Sequence, residues 1–486
     1  MFFRAQRVHF VGIGGSGMSG IAEVLLNLQY QVSGSDMRLS PVTDRLVALG
    51  ARIWEGHDPA NVHGAEAVVT SSAVRLDNPE VVEARRLQIP IIPRGEMLAE
   101  LMRLKYGIAI AGSHGKTTTT SMVSSELAAA NLDPTLVVGG RLNSMGSSAR
   151  LGKGDFMVVE SDESDRSFLH LAPILAVITS IDREHLDCYG TLEELCRAYA
   201  EFANKVPFYG ACILCVEDEN VRGILPSLRR RLFTYGIENA ADLMASDISC
   251  GHFQSRFRLQ HRGEELGDFS LQVPGRHNVL NAMAAVAVGL ELKIQLETIR
   301  EELANFGGVE RRFEVRGVVD GITVVDDYGH HPTEIRATLR AAQECNFQRV
   351  LVVFQPHRYS RTALLLEDFA RCFVPCDHLL VMDIYPAGEL PIEGISAEVL
   401  VDRMRAAGCS AVEYQPEGAA LLGRLLELAR PGDLVLTLGA GNVWQVGERL
   451  LESLKERGGK RQGTTSVVPE EAIVDAASAA EGSIKR

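Results

Sequence analysis

The stretch His9–Asp36, HFVGIGGSGMSGIAEVLLNLQYQVSGSD, constrains the fold more than any other. An apolar run enters a turn in which Gly12, Gly14 and Gly17 are spaced G-x-G-x-x-G. A helical pattern follows, and a second apolar run ends on Asp36. The spacing predicts strand, turn, helix, strand. Glycines let backbone come close to a diphosphate, and the helix N-terminus favours its charge. Read alone, the stretch suits a dinucleotide such as NAD. What it requires is a diphosphate on a nucleoside.

The alternation continues along the chain. TDRLVALG, AVVTSSA and YGIAIAGS switch between helical periodicity and short apolar runs, as α/β units around parallel sheets do. The helical pattern GEMLAELMRLK closes a first module. YGIAIAGSHGKTTTT restarts the cycle, and ITVVDDYGHHPTEI restarts it after FGGVERRFEVRG. One core rarely grows past about 250–300 residues. The 486 residues are therefore expected to form three α/β domains in a row, at 1–105, 106–308 and 309–461. Residues 462–486 are small, polar and weakly periodic, and read as a disordered tail.

Lys and Arg number 49 against 63 Asp and Glu, a net charge of −14. That balance argues against nucleic acid as a partner. No apolar run is long enough to span a bilayer, and MFFRAQRVHFVGIGG has no long apolar signal region. A cytoplasmic protein without membrane insertion is expected. The nine cysteines are scattered; Cys212 and Cys215 form a C-x-x-C inside an apolar run, with no second pair at zinc-finger spacing. They read as buried strand residues.

The sharpest chemical signal is AIAGSHGKTTTTSMV. Gly112, Ser113, His114, Gly115, Lys116, Thr117 and Thr118 lie between an apolar run and a helix. Backbone N–H groups can cradle phosphate oxygens, Lys116 can reach the β- and γ-phosphates, and the Thr117 hydroxyl can ligate Mg²⁺. Only two residues separate the first glycine from Gly-Lys, because Ile110 stands where a usual P-loop has glycine. FMVVESDESD then places Glu160, Asp162, Glu163 and Asp165 at a strand end, and VITSIDREHLD places Asp182, Glu184, His185 and Asp187 after another. Carboxylates beside a phosphate loop suit a divalent cation.

AGSHGKTTTT, VESDESD, TSIDREHLD, GRHNVLNAMAA, VERRFE, DDYGHHPTE and QPHRYSRT occur in this order from the second module onward. The set resembles the Mur ligases, which join amino acids to the UDP-muramyl precursor of peptidoglycan, and the likeness runs from about His9 to Trp444. It implies a Rossmann-like N-terminal domain, a central P-loop ATPase-like α/β domain and a Rossmann-like C-terminal domain. It also implies ATP and Mg²⁺ as cofactors, and UDP-N-acetylmuramate and L-alanine as substrates, in a monomer or homodimer. The reaction would activate a carboxylate as an acyl phosphate, which an amine then attacks.

The resemblance assigns roles by position. Lys116, His185 and Arg312 would be catalytic; Thr117, Glu160 and His185 would hold metal. Asn278 and Asn281, three apart on one helix face, would contact the adenine side of ATP, with His277 nearby. Arg312 would meet ATP phosphate and Asp327 the ribose, Asp326 being the weaker candidate. Gly14, Gly15, Ser16 and Gly17 would bind the UDP diphosphate, with Asp36, His57, Ser71 and Ser72 near the uridine. His330, His357, Arg358 and Arg361 would serve the alanine, with Tyr328 close by; a guanidinium can clamp its carboxylate in a bidentate way.

Three rivals stay open at this point. A family member that attaches a whole tripeptide to the same UDP sugar usually has a loop closer to DFAHHPT, whereas this chain has DDYGHHPTE. An NAD-dependent dehydrogenase with an added ATPase module predicts nicotinamide binding in the first domain. A non-catalytic nucleotide sensor would not need Lys116, Thr117, Glu160, His185 and Asp327 together.

Overall fold

The computed structural model describes residues 6–15, 17–71, 73–138, 149–251, 253–416 and 418–462. Ser16, Ser72 and nearly all of the expected tail lie outside them. The chain divides into two compact units, Met1–Glu314 with Thr333–Asn346, and Val315–Pro332 with Phe347–Arg486.

The first unit holds two sheets. Strands β1 (Arg7–Val11), β2 (Gln31–Asp36), β3 (Arg52–Glu55), β4 (Ala67–Thr70) and β5 (Ile91–Pro93) alternate with helices α1 (Met18–Asn27), α2 (Pro41–Ala48), α3 (Pro79–Arg86) and α4 (Arg94–Met102). Their order is β3-β2-β1-β4-β5, all parallel. Successive strands are added one way from β1 (to β2 and β3) and the other way from β4 (to β5), so the Gly12–Gly17 turn opens at the switch point where such sheets bind ligands. Gly12 has φ +78°, a conformation that favours glycine.

The second sheet comprises β6 (Tyr106–Ala111), β7 (Thr135–Val137), β8 (Ala149–Arg150), β9 (Phe156–Glu160), β10 (Leu175–Ile178), β11 (Ala211–Cys215), β12 (Leu232–Gly236), β13 (Leu243–Gly251), β14 (Gln254–His261) and β15 (Glu264–Leu271). Helix α5 (Lys116–Ala129) follows β6; α6 (Leu186–Tyr189), α7 (Leu192–Asn204), α8 (Glu219–Ile224), α9 (Arg276–Glu291) and α10 (Leu296–Asn305) come later. The order is β15-β14-β13-β12-β11-β10-β6-β9-β7-β8. β6 lies between β10 and β9, parallel to both. Its residues Ile108–Ala111 are wholly buried, as expected for a strand covered on both faces.

The threonine run Thr117–Thr120 looks polar yet is buried. Helix α5 tolerates this because side chains there close back on the helix. Ser121 donates to the Thr117 carbonyl at 2.6 Å, and Ser124 to the Thr120 carbonyl at 2.7 Å. Across from it, α9 buries Ala282 and Met283–Val288. The alanines among them let the two helices approach closely.

Both ends of this sheet depart from the parallel α/β expectation: β8 pairs antiparallel with β7. β13, β14 and β15 are antiparallel neighbours. β14 alternates buried Ser255, Phe257 and Leu259 with exposed Arg256, Arg258 and Gln260. That is the period of a strand with one wet face. Cys212 and Cys215 lie in β11 and are buried, as the sequence suggested.

The second unit is built on β16 (Glu314–Val319), β17 (Ile322–Asp327), β18 (Arg349–Phe354), β19 (His378–Val381), β20 (Val412–Tyr414) and β21 (Asp433–Leu438), ordered β16-β17-β21-β18-β19-β20. The strands from β17 to β20 are parallel. Helix α11 (Pro332–Glu344) belongs to the first unit from Thr333 onward. The remaining helices are α12 (Tyr359–Leu364), α13 (Leu366–Cys372), α14 (Ala397–Ala406), α15 (Ala419–Leu428) and α16 (Trp444–Gln462). Val324, Leu351, Val353, Leu380 and Val435 form its core with Leu421, Leu425 and Leu450.

Candidate functional site

Three adjacent strands of the second sheet deliver their C-terminal loops to one place. β6 brings Gly112–Lys116, β9 brings Glu160–Asp165, and β10 brings Ser180–His185. Two glycines shape the first loop. At Gly112, φ is +138°, and a Cβ would stand 2.1 Å from Thr179 Oγ1 and about 3 Å from Ser180 backbone. At Gly115, φ is +81°, and a Cβ would stand 2.3 Å from Asn281 Oδ1. The loop is pinned by Ser113 N–H to the Ser180 carbonyl (3.0 Å), His114 N–H to Ser180 Oγ (3.0 Å), and Asp182 N–H to Ser113 Oγ (2.8 Å).

Lys116 folds over this loop. Its ammonium donates to the Gly112 carbonyl at 2.5 Å, the Ser113 carbonyl at 3.3 Å and Glu163 Oε1 at 2.7 Å. Burial disfavours the charged lysine, but Glu163, Glu184 and Glu160 surround it and raise its pKa. Burial pushes Glu163 up to about 7 against the pull of Lys116. Thr117 Oγ1 donates to Glu160 Oε1 at 2.9 Å.

Glu163, Glu184 and His185 each offer a ligand atom within 4.8 Å of the others. His185 is held in a left-handed conformation, φ +55°, at the start of α6. With Glu160 nearby, three carboxylates share one ammonium. This excess of negative charge, with the Thr117 hydroxyl beside Glu160, fits a divalent cation bound through oxygen and one imidazole. The expected ligands Thr117, Glu160 and His185 are therefore accompanied by Glu163 and Glu184. Asp162 and Asp165 turn away, to Arg94 at 2.7 and 3.4 Å. Asp187 is exposed.

His114, expected at the nucleotide, has both ring nitrogens committed: Nε2 to Asp182 at 2.9 Å and Nδ1 to Glu334 at 3.3 Å. Burial opposes its charge, but the two carboxylates outweigh it and push the pKa up to about 10. Only its backbone is left for phosphate. Glu334 also lies 3.6 Å from Arg312. His277 sits by this pair; burial first, then Arg312, hold it down to about 4, so the ring is neutral. Asn278 and Asn281 share a face of α9 as their spacing predicts, joined at 3.3 Å, and Asn281 Oδ1 accepts from Thr119. The sequence did not single out Glu334, which lies a long way along the chain from its partner His114.

At the first turn, Asp36 reaches back and accepts from Gly14 N–H at 2.8 Å. A Cβ on Gly14 would stand 3.0 Å from that carboxylate, which would have to give slightly. Behind the turn lies a buried polar cluster. Glu80 accepts from Ser35 Oγ at 2.5 Å and from Asn61 Nδ2 at 2.7 Å, with His57 Nδ1 at 3.2 Å and His9 Nε2 at 3.6 Å. Burial works against the carboxylate, but His9, Ser35 and Asn61 hold its pKa down at about 2. His57 Nδ1 is thus committed inward, leaving Nε2 for a ligand. Ser71 follows β4 and accepts from Val74 N–H through its carbonyl. Glu80 was not expected; DNPE reads in sequence as an ordinary helix start.

In the second unit, the ends of β17, β21 and β18 lie side by side. Asp327 is buried and accepts from Gly329 N–H at 2.7 Å. Asp326 accepts from Thr437 Oγ1 at 2.5 Å inside the sheet, which suits a structural role. The rings of Tyr328 and His330 meet edge to face at 5.4 Å, and His330 lies 5.8 Å from His357. His357 stacks on Tyr385 at 5.5 Å. Arg361 lies 3.2 Å from His357 Nδ1. A guanidinium only donates, so that nitrogen accepts and the ring is neutral. Burial first, then the neighbouring cations, lower its pKa to about 3. Arg358 is exposed, with φ +71°.

Comparison with known proteins gives the following. Residues 7–106 match the pattern described as Mur ligase family, catalytic domain; 110–289 match Mur ligase middle domain; 311–441 match Mur ligase, glutamate ligase domain. The UDP-N-acetylmuramate–L-alanine ligase of Solibacter usitatus is 62% identical over 94% of this chain and 97% of its own. That of Geobacter sulfurreducens is 55% identical over 94% and 99%. Among solved structures, the UDP-N-acetylmuramate-alanine ligase of Thermotoga maritima has a TM-score of 0.78 at 29% identity, covering 93% of this chain and 99% of its own. A murein peptide ligase from Psychrobacter arcticus has a TM-score of 0.67 at 24% identity, covering 95% and 100%, a likeness of fold.

Proposed function

The chain belongs to the Mur ligase family, and from that premise we propose that it joins L-alanine to the lactyl carboxylate of UDP-N-acetylmuramate, converting ATP to ADP and phosphate. The observation that supports this best is the set of relatives of that activity, 55–62% identical over nearly the whole length. The geometry is compatible with the chemistry. A carboxylate is a poor electrophile, so transfer of the γ-phosphoryl group to it makes an acyl phosphate with a good leaving group. The alanine amine then attacks, and phosphate departs.

The residues act mostly by aligning groups and neutralising charge. Lys116 would exchange the loop carbonyls it now holds for phosphate oxygens and stabilise the migrating group. Thr117 and Glu160, and His185 with Glu163 and Glu184, would hold Mg²⁺, which when bound screens repulsion between phosphate and carboxylate. Backbone N–H groups of Gly112–Thr118 would cradle the phosphates. Asn278 and Asn281 would face the adenine side, Arg312 the phosphate and Asp327 the ribose. Gly14, Gly15, Ser16 and Gly17 would take the UDP diphosphate, with Asp36, His57, Ser71 and Ser72 toward the uridine. Arg358 or Arg361 would bind the alanine carboxylate, with His330 and His357 alongside. In solution the protein would be a monomer or homodimer. Among the described residues no helix is long and apolar enough to cross a membrane.

The test is ADP release from purified protein as a function of added amino acid, with and without UDP-N-acetylmuramate. Release that needs both the UDP sugar and L-alanine is expected. Turnover with the tripeptide but not with alanine would replace this reading with the recycling reaction.

A further inference from the structure

Arg94, the first residue of α4, lies against both ligand loops of the first unit. On one side its guanidinium covers the start of α1. A Cβ on Gly17 would stand 2.5 Å from Arg94 NH1 and 3.4 Å from its Cζ. On the other side NH2 donates to Asp162 Oδ2 at 2.7 Å and reaches Asp165 Oδ2 at 3.4 Å. Among the described residues, NH1 and Nε donate to nothing, although the side chain is largely buried. An arginine has five N–H donors in a fixed fork. Here the pair facing the acids is used, and NH1 stands over a helix N-terminus that favours anions.

The acids it holds are part of the catalytic loop. Asp162 Oδ1 accepts from Ser164 N–H and Oγ, and Asp165 Oδ1 accepts from Ser167 N–H. These bonds shape the turn that carries Glu163 to Lys116. The backbones are locked together as well: a Cβ on Gly95 would stand 2.3 Å from Ser167 Cβ. A continuous path runs Gly17, Arg94, Asp162 and Asp165, Glu163, Lys116.

We propose that Arg94 binds the diphosphate of the UDP substrate through NH1 while holding the Asp162–Asp165 turn through NH2, so that filling the UDP site favours assembly of the ATP site. This rests on the reading of the first turn as the UDP site. A diphosphate brought to Gly17 would otherwise approach two carboxylates; Arg94 neutralises them and joins the two ligands' loops. Coupling of this kind is reciprocal, so each ligand must tighten the other by the same factor.

Calorimetry on the full chain tests it, with UDP as one probe and a non-hydrolysable ATP analogue with Mg²⁺ as the other. Wild type should bind UDP, and bind it several-fold tighter when the analogue is present. Arg94→Ala should weaken UDP binding by about 10–100-fold, the usual range for a lost charged hydrogen bond, leave the analogue alone nearly unchanged, and erase the mutual tightening. Arg94→Lys should fall between. Asp162→Asn keeps the diphosphate contact but cuts the tether; UDP binding should persist while the tightening disappears. The inference is overturned if wild type binds UDP and Arg94→Ala leaves that binding intact, or if Arg94→Ala and Asp162→Asn weaken both ligands equally. Absence of UDP binding to wild type would instead sink the assignment of the first turn itself.

Discussion

The two glycine turns of the first unit are the same device in different company. Each follows a buried parallel strand, β1 or β6, and each opens a helix, α1 or α5. Around Gly12–Gly17 the described neighbours are one carboxylate turned back on the loop, Asp36, and one arginine, Arg94. In the second turn, Lys116 is surrounded by three carboxylates, Glu160, Glu163 and Glu184, with the His185 imidazole beside them. A turn of this shape specifies a phosphate group. On the function proposed above, the adjacent strand ends would decide whether that phosphate is held or transferred: acids placed to recruit Mg²⁺ beside a lysine would make the second turn the reaction site.

The comparison is broken most severely at Lys116. Lys116→Ala should lower turnover by about 10³-fold, as loss of a preorganised charge contact does, and leave UDP-sugar binding at wild-type strength. Equal loss of both would mean that the turns do not divide the work. A paired substitution sharpens the point. Gly112→Ala meets a left-handed φ and fixed Ser180 backbone, and should raise KM for ATP by about 5–30-fold through strain of about 1–2 kcal/mol. Gly17→Ala meets the movable end of Arg94, and should raise KM for the UDP sugar by a smaller factor. Steady-state kinetics with each substrate varied in turn distinguishes them.

Glu80 supports only the first turn. Glu80→Gln should raise KM for the UDP sugar several-fold by loosening His57, with kcat little changed. Its folded pKa lies below the unfolded one, so its stabilisation is present above the ordinary carboxylate pKa and fades as pH falls toward about 2. Thermal melts should therefore show the variant less stable at pH 7, by up to about 3 kcal/mol, with the gap closing in acid. Glu126, buried in α5 with no hydrogen bond to its carboxylate among the described residues, has the opposite sign. Burial first, then Glu302, raise its pKa well above the ordinary value. The folded state binds more protons, so Glu126 costs stability as pH rises through the carboxylate range and beyond. Glu126→Gln should raise the melting temperature slightly at pH 8 and hardly at pH 5. It should leave both KM values alone.

What was legible in the sequence follows the same division. Strand–turn–helix units and the residues on strand ends could be read because their periodicity and spacing are local. Lys116, Thr117, Glu160 and His185 do converge on one strand-end cluster. Arg94, Glu80 and Glu334 were missed because each acts through a partner far away in the chain, and none breaks a local pattern. Glu163 and Asp162 are two residues of one acidic run, yet one faces Lys116 and the other Arg94. Composition could not sort them; the turn between β9 and Ser167 does. Of the antiparallel strands β13–β15, β14 shows the clean alternation of a one-sided sheet, which the surrounding parallel units obscured.

The thiols of β11 offer a clock for the middle of the molecule. Cys212 and Cys215 are buried in the cores on the two faces of the sheet, and burial pushes them up to about 12 and about 11. They are neither accessible nor ionised while that sheet is intact, and a thiolate is what an alkylating reagent attacks. Their rate of alkylation therefore reads how often the strand beside the phosphate-loop layer comes open, and ATP with Mg²⁺ should slow it if nucleotide binding steadies that layer.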